Sequence, residues 1–263
     1  MIFLRFFKLF LLILISPILI LPNFLNASTS TNTCALDAGT ATYDFKVHGS
    51  SVGSVVRTES LDTNQPGHYK ISSITQAKFL FFKDRLTENS VGLITNLAVT
   101  PGRYQITDTR SKKNLVITFD QDKKTAELQS STLENLEKNL TIPDNIQDNL
   151  SYVLALRLNL IQKLFKPGQA LMVLAQDKNK KIIPTAFYFS ESNNSNSNKN
   201  IELTRVDSES QITYHYWFSP SENDLLIKTE AVKNNQAGQN NQDDIIAETD
   251  LQSYKKSDTC LVS

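Results

Sequence analysis

The side chains that could do chemistry are few and scattered. His48, His68 and His215 stand alone, without the paired spacing that a metal site or a His-Glu-x-x-His helix requires. No Gly-x-Ser-x-Gly elbow, phosphate-binding Gly-x-x-x-x-Gly-Lys or Gly-x-Gly-x-x-Gly occurs, which removes the simplest support for hydrolase and nucleotide chemistry. With 27 acidic residues in the chain, chance carboxylate pairs carry no weight. The expectation is therefore a protein that is not an enzyme, with no catalytic residues, no metal and no cofactor. Cys34 and Cys260 are the only thiols, and an exported chain would meet an oxidising compartment, so a disulfide between them is expected. Binding chemistry falls to aromatic side chains that alternate along strands: Phe79 and Phe81, Phe187 and Phe189, and Tyr214, Tyr216 and Phe218. Two arginines, Arg103 and Arg157, are expected to hold an internal carboxylate, a ligand anion being the other reading.

The expectation of export comes from the first residues. Arg5 and Lys8 precede an uncharged apolar run from Leu9 to Leu21, too short for the roughly 20 residues of a bilayer-spanning helix and interrupted by Pro17. Leu25-Asn26-Ala27 then offers a small residue at a cleavage position, so residues 1–27 read as a signal peptide and residues 28–263 as a single β-rich domain. The implied location is periplasmic, with no stable transmembrane anchor after cleavage. Basic and acidic residues balance at 27 each, which argues against nucleic acid as a partner.

The elements that must position these side chains are mostly strands. Tyr43, Phe45 and Val47 alternate with Asp44 and Lys46, and Gly49 to Gly53 reads as the following turn. Period-two segments recur at Ser54 to Ser60, Tyr69 to Ala77, Phe79 to Lys83, Arg85 to Ile94, Gly102 to Thr109, Leu115 to Asp120 and Thr125 to Gln129. Leu150, Leu154, Leu158, Ile161 and Phe165 then recur every three or four residues. They predict a helix from about Ile146 to Phe165, begun near Pro143-Asp144 and stopped by Pro167-Gly168. Its apolar stripe is expected to lie on the sheet like a lid, with Arg157 at the margin. Strands resume at Ala170 to Gln176, Ile182 to Glu191, Ile201 to Asp207, Gln211 to Phe218, Leu225 to Val232 and Ile245 to Lys256, with Asn-rich loops at Ser192 to Asn200 and Asn234 to Asn241. The fold class is mainly β: a curved antiparallel sheet or open barrel with one principal amphipathic helix packed against it.

Several of these pieces carry a resemblance. Tyr43-Asp44-Phe45 with Gly49 and Val52-Gly53, Glu88-Asn89-Ser90-Val91-Gly92, Pro101-Gly102-Arg103-Tyr104, Asp148-Asn149-Leu150-Ser151, Leu156-Arg157, Pro167-Gly168, Trp217-Phe218-Ser219-Pro220 and Leu226-Ile227-Lys228 follow one another in order. In this the chain resembles the exported bacterial family catalogued as domain of unknown function 3108. The resemblance implies location and architecture but no chemistry, and by fold-level analogy an architecture like the sheet and helix of periplasmic lipoprotein carriers. Two functions follow as expectations. One is a binding module for a lipid or other hydrophobic envelope molecule, held between sheet and helix by the seven aromatics named above. The alternative is a non-catalytic interaction or structural protein of the cell envelope, whose loops or edge strand engage a protein partner.

Overall fold

Alternation along the strands sorts side chains onto two faces, and a run of antiparallel hairpins stacks those faces into one sheet. The computed structural model describes residues 36–62, 65, 67–79, 82–95, 98–131, 138–176, 181–191, 200–234 and 244–262. Residues 1–27, Cys34, Phe81, the turn at 177–180 and the Asn-rich segments 192–199 and 235–243 lie outside the described residues.

The first wing is a meander of β1 (Leu36–Val47), β2 (Ser50–Leu61), β3 (His68–Phe79), β4 (Phe82–Thr95), β5 (Ala98–Asp108), β6 (Lys113–Asp120), β7 (Thr125–Ser130) and β8 (Asn139–Thr141). Then come the helix α1 (Ser151–Ile161), a separate two-stranded sheet of β9 (Ala170–Gln176) and β10 (Ile182–Tyr188), and a second wing. That wing is β11 (Ser190–Glu191), β12 (Ile201–Asp207), β13 (Ile212–Ser219), β14 (Leu225–Lys233) and β15 (Asp244–Val262). β15 pairs antiparallel with β1, so the two wings form one 13-stranded sheet. Its hydrogen-bonded order starts at β11 and ends at β8, so it stays open rather than closing as a barrel. The described residues all fall within one compact unit.

Register shifts curl the sheet. They occur between Thr42 and Tyr43 against β15, Val91 and Gly92 against β5, Trp217 and Phe218 against β14, and Ala231 and Val232 against β15. Each such bulge increases the local bend and twist of its strand. The β1–β2 turn is shorter than the sequence predicts, because only His48 and Gly49 make it, both at positive φ. Gly53 sits instead inside β2, where a β-carbon would come within 1.8 Å of the Gln76 carbonyl oxygen, so its role is close strand approach rather than turning.

The helix is shorter than the periodicity predicts and is covered on both sides. Its first turn starts at Ser151 because the Asp148 carboxylate accepts the backbone N–H groups of Leu150 and Ser151, while Ser151 Oγ accepts the N–H of Asp148. Residues 143–150 are extended or turned, and Gln147 bridges to Val173 on β9. Lys163 at positive φ follows the last turn. Leu150, Leu154 and Leu158 pack with Tyr69, Ile71, Leu115, Ile117 and Leu128 of the first wing. Val153 and Leu156 pack with Phe187, Phe189, Leu203 and Phe218 on the other side. No residue of α1 is exposed. The helix is a core element between two wings, not a lid with a wet face.

The expected Cys34–Cys260 disulfide falls on Cys34, which lies outside the described residues; Cys260 stands in β15, opposite Asp37 of β1.

Candidate functional site

Beyond the helix N-terminus the two wings face each other across a cleft of about 460 Å³. Its construction follows from register. On the second wing Arg205 is opposite Tyr214, which is opposite Ala231, which is opposite Ala247. The next inward row runs Leu203, Tyr216, Thr229, Thr249 and Phe45. The floor is thus Thr229, Ala231, Ala247 and Thr249, side chains too small to fill the space between the walls. Leu86, Glu88 and Ile106 form the wall of the first wing, Phe187, Arg205, Tyr214 and Tyr216 that of the second, and Asn149 and Tyr152 close the helix end.

The aromatic wall is a connected cluster. Tyr152 meets Phe187 edge-on at 5.9 Å and Tyr216 edge-on at 6.3 Å between centroids, and Phe189 meets Tyr216 at 5.7 Å. The Tyr152 hydroxyl donates to that of Tyr216 at 3.3 Å. Arg205 lies between rings, its guanidinium carbon 4.0 Å from the centroids of both Phe187 and Tyr214.

Polar groups on the opposite wall are held inward. Tyr104 donates a short hydrogen bond to Glu88, and Asn149 Nδ2 reaches the Tyr104 oxygen at 3.4 Å. Burial raises the Glu88 carboxyl above its ordinary range, against the pull of the Tyr104 hydrogen bond. Glu230 and Glu248 also border the cleft, but alternation turns their side chains to the convex face. There Lys228 meets Glu230 at 2.6 Å and Lys46 meets Glu248 at 2.8 Å. Trp217, stacked on His215 at 5.6 Å, belongs to the same outer face.

Behind the cleft, Asp148 is fully buried with Ser90 donating to it at 2.6 Å and Tyr69 3.2 Å from Ser90. Burial raises its carboxyl, and the hydroxyl and backbone donors offset only part of this. A carboxyl raised above its unfolded value binds its proton more tightly when folded. It therefore subtracts stability as pH climbs from the unfolded value near 4 through the raised one. Asp148→Asn keeps the Oδ1 acceptor and can turn its amide to Ser90. Its stability relative to the parent is expected to improve as pH rises over that window, as measured by urea midpoints across the pH series; a constant difference would refute the assignment.

Sequence-predicted positions divide three ways. Phe187, Tyr214 and Tyr216 come together at the cleft, whereas Phe189 and Phe218 are buried in the core beneath it. Phe81 lies outside the described residues, and Phe79 is described only through its β3 backbone. Arg157 is 1% exposed and paired with Glu59, away from any margin, while Arg103 is exposed. Arg205 was not singled out, although one signal was available: it shares the inward face of β12 with Ile201 and Leu203, a charge at a core-facing position. A second hollow, of about 560 Å³ over Asp37, Asn223 and Lys256, has walls tied together by Lys256–Asp37 at 2.7 Å and Asn223–Asp37 at 2.6 Å.

Among the described residues no group of three or more His, Cys, Asp or Glu could hold a metal, and no helix is long and apolar enough to cross a membrane. The family described as Protein of unknown function (DUF3108) matches residues 40–237. No curated protein matches the chain. A solved structure described as a beta-barrel-like protein of domain of unknown function DUF1849 from Brucella abortus is similar at 9% identity and a TM-score of 0.49, covering 85% of this chain and 99% of that one.

Proposed function

The chain belongs to the DUF3108 family of proteins of unknown function, and we propose that it is a non-catalytic binding module, exported to the periplasm, that holds a lipid or other hydrophobic envelope molecule in the cleft between its wings. One observation carries the reading. The space under the helix, where the ligand was expected, is filled by two apolar clusters, yet the adjoining trough is floored by Thr229, Ala231, Ala247 and Thr249 beside an aromatic wall. About 460 Å³ lined this way is within the range of small-molecule sites, roughly 300–1,000 Å³. The edges of the 13-stranded sheet favour the cleft over edge-strand docking there, since β8 has three residues and β11 two. The signal-like residues 1–27 support export.

The test is to fill the trough. Ala231→Leu and Ala247→Leu place side chains where the ligand would lie. With a neutral solvatochromic dye as probe, each is expected to weaken binding by roughly tenfold or more, while the urea midpoint stays near that of the parent. Unchanged dye affinity in both variants overturns the proposal.

A further inference from the structure

We propose that the molecule held in this cleft is an anionic amphiphile, its carboxylate or phosphate seated on Arg205 and its apolar chain lying along Phe45, Leu86, Ile106, Ala231 and Ala247. This rests on the cleft being a ligand site and adds the chemistry of the head group. Arg205 differs from most other buried or half-buried basic side chains; Lys113, which also meets no carboxylate, donates to Gln176 at 3.1 Å. Arg157 and Arg57 each meet Glu59, and Lys46 and Lys228 meet Glu248 and Asp250, but no carboxylate lies within ion-pair distance of Arg205 among the described residues. Its Nε is buried without a hydrogen-bond partner among those residues. The Asp207 carboxylate feels its charge only from beyond ion-pair distance, and a half-buried charge without a direct counter-ion is costly.

What holds Arg205 there is stacking. Phe187 and Tyr214, each 4.0 Å from the guanidinium carbon, flank it, and the Tyr214 and Tyr216 hydroxyls reach its nitrogens, while the unpartnered Nε keeps a donor for a planar or tetrahedral anion. The Tyr214 and Tyr216 hydroxyls flank the same position and can donate to the same anion. The acid across the cleft, Glu88, forms no ion pair with Arg205 among the described residues, and Tyr104 occupies one of its oxygens. The floor carries no charge at all. A cation at one end of an uncharged trough complements a molecule with its anion at one end.

The test uses the full mature chain and a matched pair of probes, decanoate and decanol, with inorganic phosphate as a third arm, all followed by calorimetry below micelle-forming concentrations. Decanoate is expected to bind roughly tenfold or more tighter than decanol, the equivalent of one charge-assisted hydrogen-bonded contact. Arg205→Met should abolish that difference by weakening decanoate far more than decanol, and Arg205→Lys should restore part of it. Inorganic phosphate alone should neither bind measurably nor displace decanoate; if it binds as tightly as decanoate, the site takes free anions and the amphiphile assignment is overturned. Equal binding of decanoate and decanol to the parent, or equal weakening of both by Arg205→Met, overturns the head-group assignment while leaving the cleft a ligand site. Binding of neither probe overturns the cleft reading itself.

Discussion

Arg157→Ala is expected to destabilise the fold by about 3 to 5 kcal/mol, the range for removing one partner of a buried ion pair. Arg157 reaches from α1 to both wings at once. One terminal nitrogen donates to Glu59 on β2, Nε donates to the Asp224 carbonyl at 3.1 Å, and the other terminal nitrogen to the Asn223 carbonyl at 3.3 Å. Removing it leaves the Glu59 carboxylate with Arg57 alone, at 2.9 Å, and leaves two carbonyls in the turn before β14 without their donor. Arg157→Lys is expected to lose most of the same stability, because an ammonium cannot present three nitrogens in one plane.

The pH dependence follows from Glu59. Burial opposes its ionisation, but the guanidinium groups of Arg157 and Arg57 outweigh that and hold its carboxyl below the ordinary value of 4.5. A depressed carboxyl stabilises the fold above its unfolded pKa, and that contribution disappears as pH falls through the folded value. The gap between parent and Arg157→Ala should therefore narrow in acid. Urea midpoints measured from neutral pH downward check both statements, and a midpoint for Arg157→Ala equal to that of the parent at neutral pH would show the pair to be dispensable.

Leu158→Ala is the second large effect, expected at about 2 to 5 kcal/mol from lost burial and the cavity left behind. Leu158 is 1% exposed and Leu154 0%, in the cluster joining helix to first wing. Because the opposite face of α1 is packed by a different cluster, Val153→Ala should also destabilise, and its effect should add to that of Leu158→Ala, since the two residues share no cluster. A lid with one wet face predicts little loss at Val153. Chemical denaturation of the two single variants and the double variant separates these outcomes.

The strands were legible because half-buried strands write their period directly: the segments from Ile201 to Asp207 and Ala170 to Gln176 match β12 and β9 residue for residue. The helix was legible as a stripe but not in its length. Ile146 is 0% exposed and keeps the four-residue spacing, yet it lies outside the helix, since spacing records burial and not the hydrogen bonding that Asp148 redirects. Its second apolar face, Val153 and Leu156, was hidden because no single stripe distinguishes a helix wrapped by two wings from one lying on a sheet. β8, three residues long, gave too short a pattern to read.

The site was legible only in fragments. Phe187, Tyr214 and Tyr216 stood out as alternating aromatics, but their meeting with Arg205 depends on the register that sets Arg205 opposite Tyr214 and on β10 belonging to a second sheet. The floor was invisible for a related reason. Thr229, Ala231, Ala247 and Thr249 are unremarkable in sequence and become a trough only when β14 and β15 align them side by side.

The most direct test of the central claim is a methyl-resolved NMR titration of the protein with decanoate, following Ala231, Ala247, Thr229 and Thr249. The cleft account predicts that these four methyls shift together along one saturation curve, while the core methyls of Ala38 and Ala126, both 0% exposed, stay in place. Saturable shifts confined to residues elsewhere on the protein, or none at concentrations that calorimetry shows to be bound, would contradict it.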